Sequence, residues 1–142
     1  MAYTYHYPHF ALTADAVVFS KSEEGLNVLL IRRANEPFKD CWAFPGGYVD
    51  IEETIDHAVQ RELEEETGVS GVSLKRFDLF DAVDRDPRER TVTVAYYGFS
   101  HDSAGTVKAG DDAKDARWFS VDSLPVLAFD HATILKMILE VL

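Results

Sequence analysis

The chain has almost no cysteine: Cys41 is the single thiol in 142 residues. One thiol cannot make an internal disulfide, so stability must come from a buried core, and a reducing, cytoplasmic setting is expected. Positive charge is scarce as well, with 14 Lys and Arg against 25 Asp and Glu and a formal net charge of −11. Nucleic-acid binding needs a basic footprint, so nucleic acid is not an expected partner. No apolar run approaches the ~18 residues that a membrane span needs. The opening MAYTYHYPHF has neither the basic region nor the apolar stretch of a signal peptide. Repeats, low-complexity segments and Gly/Ser/Pro linkers are missing too, so one domain is expected over residues 1–142.

What is present is a globular balance of 46% hydrophobic and 27% charged residues, which excludes a disordered chain. An acidic protein still binds anionic small molecules where metal ions supply local positive charge, so phosphorylated ligands stay open. ALTADAVVF (11–19) and NVLLIRR (27–33) read as two strands joined through KSEEGL. EPFKDCWAFPGG reads as a loop, broken by Pro37, Pro45 and the pair Gly46-Gly47. TIDHAVQRELEEET (54–67) reads as a helix stopped by Gly68.

Beyond it, VSLKRFDLFDAV (72–83) and RTVTVAYYGFS (90–100) read as strands, the second with Val92, Val94 and Tyr96 on one face and Thr91, Thr93 and Ala95 on the other. HDSAGTVKAGDDAKD is a polar loop long enough for a lid or binding loop. ARWFS is a short strand, and Asp130 is placed to cap a closing helix, HATILKMILEVL. The order β-β-α-β-β-β-α predicts a mixed α/β sandwich.

The segment RELEEETGV (61–69) poses an electrostatic problem. Glu62, Glu64, Glu65 and Glu66 crowd the end of a helix, where like charges repel and the helix dipole disfavours acids. Advancing about 100° per residue puts Ile55, Ala58, Val59 and Leu63 in one sector of about 140°. Glu62 and Glu66 share that inward sector, Glu65 lies at its edge, and Glu64 falls on the opposite side with His57. Inward carboxylates are costly unless paired, protonated or bound to metal. Three carboxylates at i, i+3 and i+4 suit a hard divalent cation such as Mg²⁺ or Mn²⁺. A solvated acidic surface is the plain alternative. Arg61, about 40° from Glu65, borders the stripe and is expected to orient the carboxylates.

From Gly47 to Val69 the chain reads GYVDIEETIDHAVQRELEEETGV. It resembles the Nudix box: a glycine, five residues, a glutamate, seven residues, then Arg-Glu-aliphatic-any-Glu-Glu-any-Gly-aliphatic. Gly47, Glu53, Arg61, Glu62, Leu63, Glu65, Glu66, Gly68 and Val69 fill those positions without departure. The resemblance implies an α/β/α sandwich with a mixed β-sheet and a hydrolase that splits a nucleoside diphosphate linked to another moiety. It implies Mg²⁺ or Mn²⁺ held by Glu62, Glu65 and Glu66, with Glu53 supporting the site or binding metal. Gly46 and Gly47 mark a loop where backbone approaches phosphate closely.

Three segments, 32–50, 84–99 and 111–135, resemble the ADP-ribose pyrophosphatase branch of that family. ADP-ribose is therefore the expected substrate and a homodimer the expected assembly. Arg32 or Arg33, Arg85 and Arg88 are the candidate phosphate cations. The aromatic arm Tyr3, Tyr5, Tyr7 and Phe10 would stack on adenine or pack at an interface. The general base stays open between a box glutamate and Asp111 or Asp112. Two other functions remain: a housecleaning hydrolase of nucleoside triphosphates or diadenosine polyphosphates, and a nucleotide-sugar sensor. The intact box, the acidic charge and a chain ending at Leu142, just after the closing helix, weigh against a DNA-binding regulator.

Overall fold

The computed structural model describes residues 2–101 and 113–142. Its strands are β1 (Ala11–Ser22), β2 (Gly25–Arg33), β3 (Trp42–Ala43), β4 (Gly46–Tyr48), β5 (Lys75–Phe80), β6 (Thr91–Phe99) and β7 (Ala113–Ser120). The helices are α1 (Ile55–Thr67), between β4 and β5, and α2 (His131–Leu139), which closes the order. The strands form one mixed sheet with the path β3-β2-β1-β6-β5, with β4 paired to β1 and β7 to β2. β1 runs parallel to β6 and antiparallel to β2 and β4.

Side chains of a strand alternate between faces, and both faces of β1 are buried. Ala14, Ala16 and Val18 meet Val59 and Leu63 of α1, while Val17 and Phe19 meet Ile134, Leu135 and Ile138 of α2. β6 does the same: Val94 and Tyr96 face α1, and Ala95 faces α2. The α/β/α sandwich expected from the sequence is thus observed. None of the helices among the described residues is long and apolar enough to cross a membrane.

The segment around Pro45 departs from a plain loop, since β3 and β4 lie on either side of Pro45. Strands of two or three residues carry no periodic signal, and pairing with neighbours defines them. β5 occupies only the middle of 72–83, and β7 begins before ARWFS. Asp130 occupies the cap position of α2 but makes no capping hydrogen bond. Its carboxylate instead accepts from Arg85 Nε at 2.9 Å and Nη2 at 2.7 Å, a bidentate ion pair stronger than a neutral cap.

One topological detail builds the site. β1 changes partner along a single edge: Thr13, Ala14 and Asp15 pair with β4, and Phe19 to Ser22 pair with β2. Between them, Ala16 N–H donates to the Pro45 carbonyl at 2.8 Å. β2 leaves β1 after Val28 and continues with β7, pairing also with β3. The divergence of β2 from the β1–β4 pair leaves a cleft between them.

Candidate active site

The cleft has a free volume of about 350 Å³ and is bordered by β1, β2, β4, α1, the 85–88 segment and the start of α2. Gly46, Gly47, Arg33, Arg61, Glu62, Glu66, Arg85 and Arg88 all line it. Residues spread over more than fifty positions of sequence therefore share one cavity.

α1 supplies its acidic wall. Thr54 caps the helix by accepting from His57 N–H at 3.1 Å. Gly68 ends it at φ 75, donating to the Glu64 carbonyl, a left-handed position that suits glycine. Between these caps, Ala58, Val59 and Leu63 are buried and fix the rotation of the helix. Glu66 is then 7% exposed, and the side chain of Glu62 17%. Glu64 is exposed, as its phase requires. Glu65 is more exposed than an inward ligand, at 59%, and turns to Arg61 instead of the cleft.

Glu66 Oε1 accepts the Gly46 N–H at 2.7 Å, which ties the carboxylate to the start of β4. The Glu62 carboxylate lies against Gly47, where an added Cβ would sit 2.7 Å from Oε1. Gly46 is equally confined, because its missing Cβ points at the Ala14 carbonyl and the Asp15 carboxylate. The two glycines let β4 lie between β1 and α1.

Arg61 organises the remaining acids. Its Nε and Nη2 grip Glu53 at 3.0 and 2.6 Å, and Nη1 reaches Glu62 at 2.9 Å and Glu65 at 3.2 Å. Glu53 also accepts the Asp50 N–H at 2.9 Å and meets His57 Nδ1 at 2.8 Å. The Arg61 guanidinium and these N–H donors hold the Glu53 carboxyl far below the usual carboxylate range. In return, the Glu53 and Glu62 carboxylates raise the pKa of Arg61 further. Among the described residues no three acidic, His or Cys side chains are gathered as a metal cage. The donor chemistry fits a hard cation all the same: Glu62 and Glu66 present oxygen ligands to one cleft, with the Gly46–Gly47 backbone of β4 between them.

The opposite chemistry comes from arginine. Arg33 lines the cleft, and Arg88 is paired with Asp86 while lying over the Tyr48 ring at 5.4 Å. Arg85 is placed differently: its side chain is 4% exposed and bound to Asp130, so it supports the wall instead of reaching a ligand. Arg32 turns to Asp40. Tyr3, Tyr5, Tyr7 and Phe10 are exposed and line no part of the cleft. Asp111 and Asp112 lie outside the described residues.

The sequence reading missed the floor of the cleft. Asp15 is 7% exposed and accepts from Thr93 Oγ1 at 2.6 Å. His131 accepts the Phe44 N–H at Nδ1, 3.1 Å away, and directs Nε2 towards Asp15 at 3.7 Å. A lone acid inside the apolar run ALTADAVVF was the available signal for Asp15. Burial pushes the His131 imidazole below its ordinary 6.5, against the opposing pull of Asp15 and Asp130. The unfolded imidazole takes up a proton as pH falls through that value, and the folded one does so only at lower pH. Stability should therefore fall between the two, and the loss of melting temperature from pH 7.5 to 5.5 should be smaller in His131→Gln. Equal slopes in calorimetry would refute this.

The Nudix domain family matches residues 9–140. The chain belongs to the Nudix family. It is 41% identical over 130 residues to the ADP-ribose pyrophosphatase of Methanocaldococcus jannaschii, covering 92% of this chain and 73% of that one. It is 33% identical to the ADPR responsive transcriptional repressor NtrR of Acinetobacter baylyi, over 92% of this chain and 53% of the repressor. The present chain thus spans about half the length of that relative. Among solved structures, the Nudix domain of Shewanella oneidensis NrtR, complexed with ADP ribose, superposes with a TM-score of 0.87 at 30% identity, covering 94% of this chain and 89% of that one. The family match includes the segment 47–69.

Proposed function

We propose that this Nudix domain hydrolyses the diphosphate of a nucleoside diphosphate derivative, with ADP-ribose as substrate and AMP and ribose 5-phosphate as products. The observation that carries the reading is the cleft itself, which joins the Glu62–Glu66 carboxylates and the Gly46–Gly47 backbone to Arg33 and Arg88. The Methanocaldococcus relative, an ADP-ribose pyrophosphatase, supports the choice of substrate.

Glu62, Glu65 and Glu66, assisted by Glu53, would hold Mg²⁺, or Mn²⁺ in its place. Such an ion polarises phosphoryl oxygen and lowers the pKa of bound water. Arg61 orients the Glu53, Glu62 and Glu65 carboxylates. Gly46 N–H fixes Glu66, and the bare Gly47 backbone leaves room for a phosphate beside Glu62. The arginines neutralise charge on the diphosphate and position it. A box glutamate is our choice of general base among the described residues. A homodimer in a reducing, cytoplasmic compartment completes the proposal.

The test is a substrate panel at fixed Mg²⁺, with release of AMP, ribose 5-phosphate and pyrophosphate followed. ADP-ribose should give the highest kcat/KM, and excess chelator should remove turnover. Preference for a nucleoside triphosphate or a diadenosine polyphosphate would overturn the substrate choice. A second reading, a sensor that binds ADP-ribose without cleaving it, draws on the likeness to the NtrR repressor and to the NrtR domain bound to ADP ribose. Calorimetric binding of ADP-ribose without product would favour it.

A further inference from the structure

Arg33 stands apart from the other cations of the cleft. Its Nε donates to the Pro37 carbonyl at 2.7 Å, and among the described residues no carboxylate forms an ion pair with it. Arg85 and Arg88, by contrast, are each gripped by an aspartate. Burial lowers the pKa of Arg33, and the neighbouring positive charge of Arg88 lowers it further. A half-buried cation with no ion pair among the described residues, beside a second cation, is an arrangement that an anionic ligand would relieve.

Phe129 contacts both. The Cζ atoms of Arg33 and Arg88 are 5.0 and 5.6 Å from the centre of its ring. Its backbone stands at φ 51, a left-handed conformation rarely adopted by bulky residues. Such a conformation persists where the surroundings over-determine it. Here Phe38, itself at φ 59, packs 4.8 Å away, and His131 packs at 5.5 Å. Tyr48 receives Arg88 on its own ring at 5.4 Å.

We propose that Phe129 is a positioning residue whose ring holds Arg33 and Arg88 together as a two-guanidinium clamp for one phosphate of the diphosphate. An aromatic ring attracts a guanidinium within about 6 Å of its centroid and limits its motion. The planar fork of arginine matches two phosphate oxygens at once. Glu66 lies close enough to act on the charge of Arg33, so the clamp adjoins the acidic wall and can take a phosphate next to the one held there. Arg85 is left out of the clamp, because its side chain is only 4% exposed against Asp130, whereas that of Arg88, although also paired with an aspartate, is 37% exposed. The role rests on the diphosphate reading given above.

Inorganic pyrophosphate, titrated by calorimetry in Mg²⁺, separates the two proposals. Wild type, Phe129→Leu, Arg33→Gln and the double variant form a cycle. Each single change should weaken pyrophosphate at least about fivefold, and the double variant should be weakened by clearly less than the product of the two single effects, because Phe129 acts through the arginines. Phe129→Tyr keeps the ring and should restore wild-type binding. Phe129→Met replaces Phe129→Leu in the cycle if leucine impairs folding. With ADP-ribose, Phe129→Leu should raise KM while kcat stays within about twofold. A lowered melting temperature with unchanged pyrophosphate affinity would show a packing role alone and overturn the clamp. Additive effects, or no pyrophosphate binding by the wild type, would overturn it equally. Coupled binding in a protein that leaves ADP-ribose intact would keep the clamp and reject the substrate.

Discussion

Glu66→Gln is expected to lower kcat for ADP-ribose by at least about 100-fold, a loss in the range of removing one well-placed electrostatic group from an active site. The substitution is nearly isosteric, and the glutamine Oε1 can still accept the Gly46 N–H that Glu66 accepts at 2.7 Å. What disappears is one negative charge from a side chain that is 7% exposed. The fold should therefore survive while an oxygen ligand proposed for the cation weakens. Glu65→Gln tests the same ligand set from its outer edge, where the carboxylate meets Arg61 at 3.2 Å. Glu64→Gln is the control, expected to stay within about twofold because the side chain faces water and surface changes are usually small. Steady-state rates across a Mg²⁺ titration, with circular dichroism to follow folding, check all three. Full activity in both Glu65→Gln and Glu66→Gln would sink the metal assignment.

Gly46→Ala and Gly47→Ala should fail in opposite ways, although they are neighbours. At Gly46 an added methyl would collide with the Ala14 carbonyl and the Asp15 carboxylate, and would lie 2.9 Å from Asp15 Cα. Two of those obstacles are backbone atoms of β1, which is buried on both faces and cannot yield cheaply. Overpacking of this kind costs about 1–3 kcal/mol, and we expect the upper end, with a melting temperature lower by roughly 6–10 °C. At Gly47 the methyl would meet only the end of Glu62, with the nearest atom 2.7 Å away. That side chain can rotate aside, so stability should change little. Turnover should fall at least about tenfold, since Glu62 would leave its place and the close backbone approach to phosphate would be lost. Differential scanning calorimetry and kcat measured on both variants decide the matter. Equal melting temperatures would remove the distinction drawn between them.

Much of the molecule was legible in the chain, for local physical reasons. Helical period placed Ala58, Val59 and Leu63 in the core and separated Glu64 from Glu62 and Glu66, because those positions depend only on rotation per residue. The stop at Gly68 followed from local backbone chemistry, whereas Thr54, read as part of the helix, proved to be its cap. The Nudix box named the family, since fixed spacing on one turn–helix unit survives as a pattern in sequence.

Other features depended on contacts that no local pattern encodes. β3 and β4 exist because β2 and β1 supply their hydrogen bonds. Asp130 looked like a cap by its position, yet a guanidinium 45 positions earlier takes its carboxylate. Arg33, Arg85 and Arg88 were equivalent as cations in the sequence. Burial and pairing then divided them into a cation at the cleft with no ion pair among the described residues, a wall support and a residue stacked on Tyr48. Asp15 and His131, 116 positions apart in sequence, meet only when α2 docks on the face of β1 that carries Asp15. The sequence by itself determined the family, the acidic helix and its inward face, because each is written within one element. The tertiary structure alone decided which charges share the cleft and which neutralise one another, because electrostatic interaction depends on distance in space and not on separation along the chain.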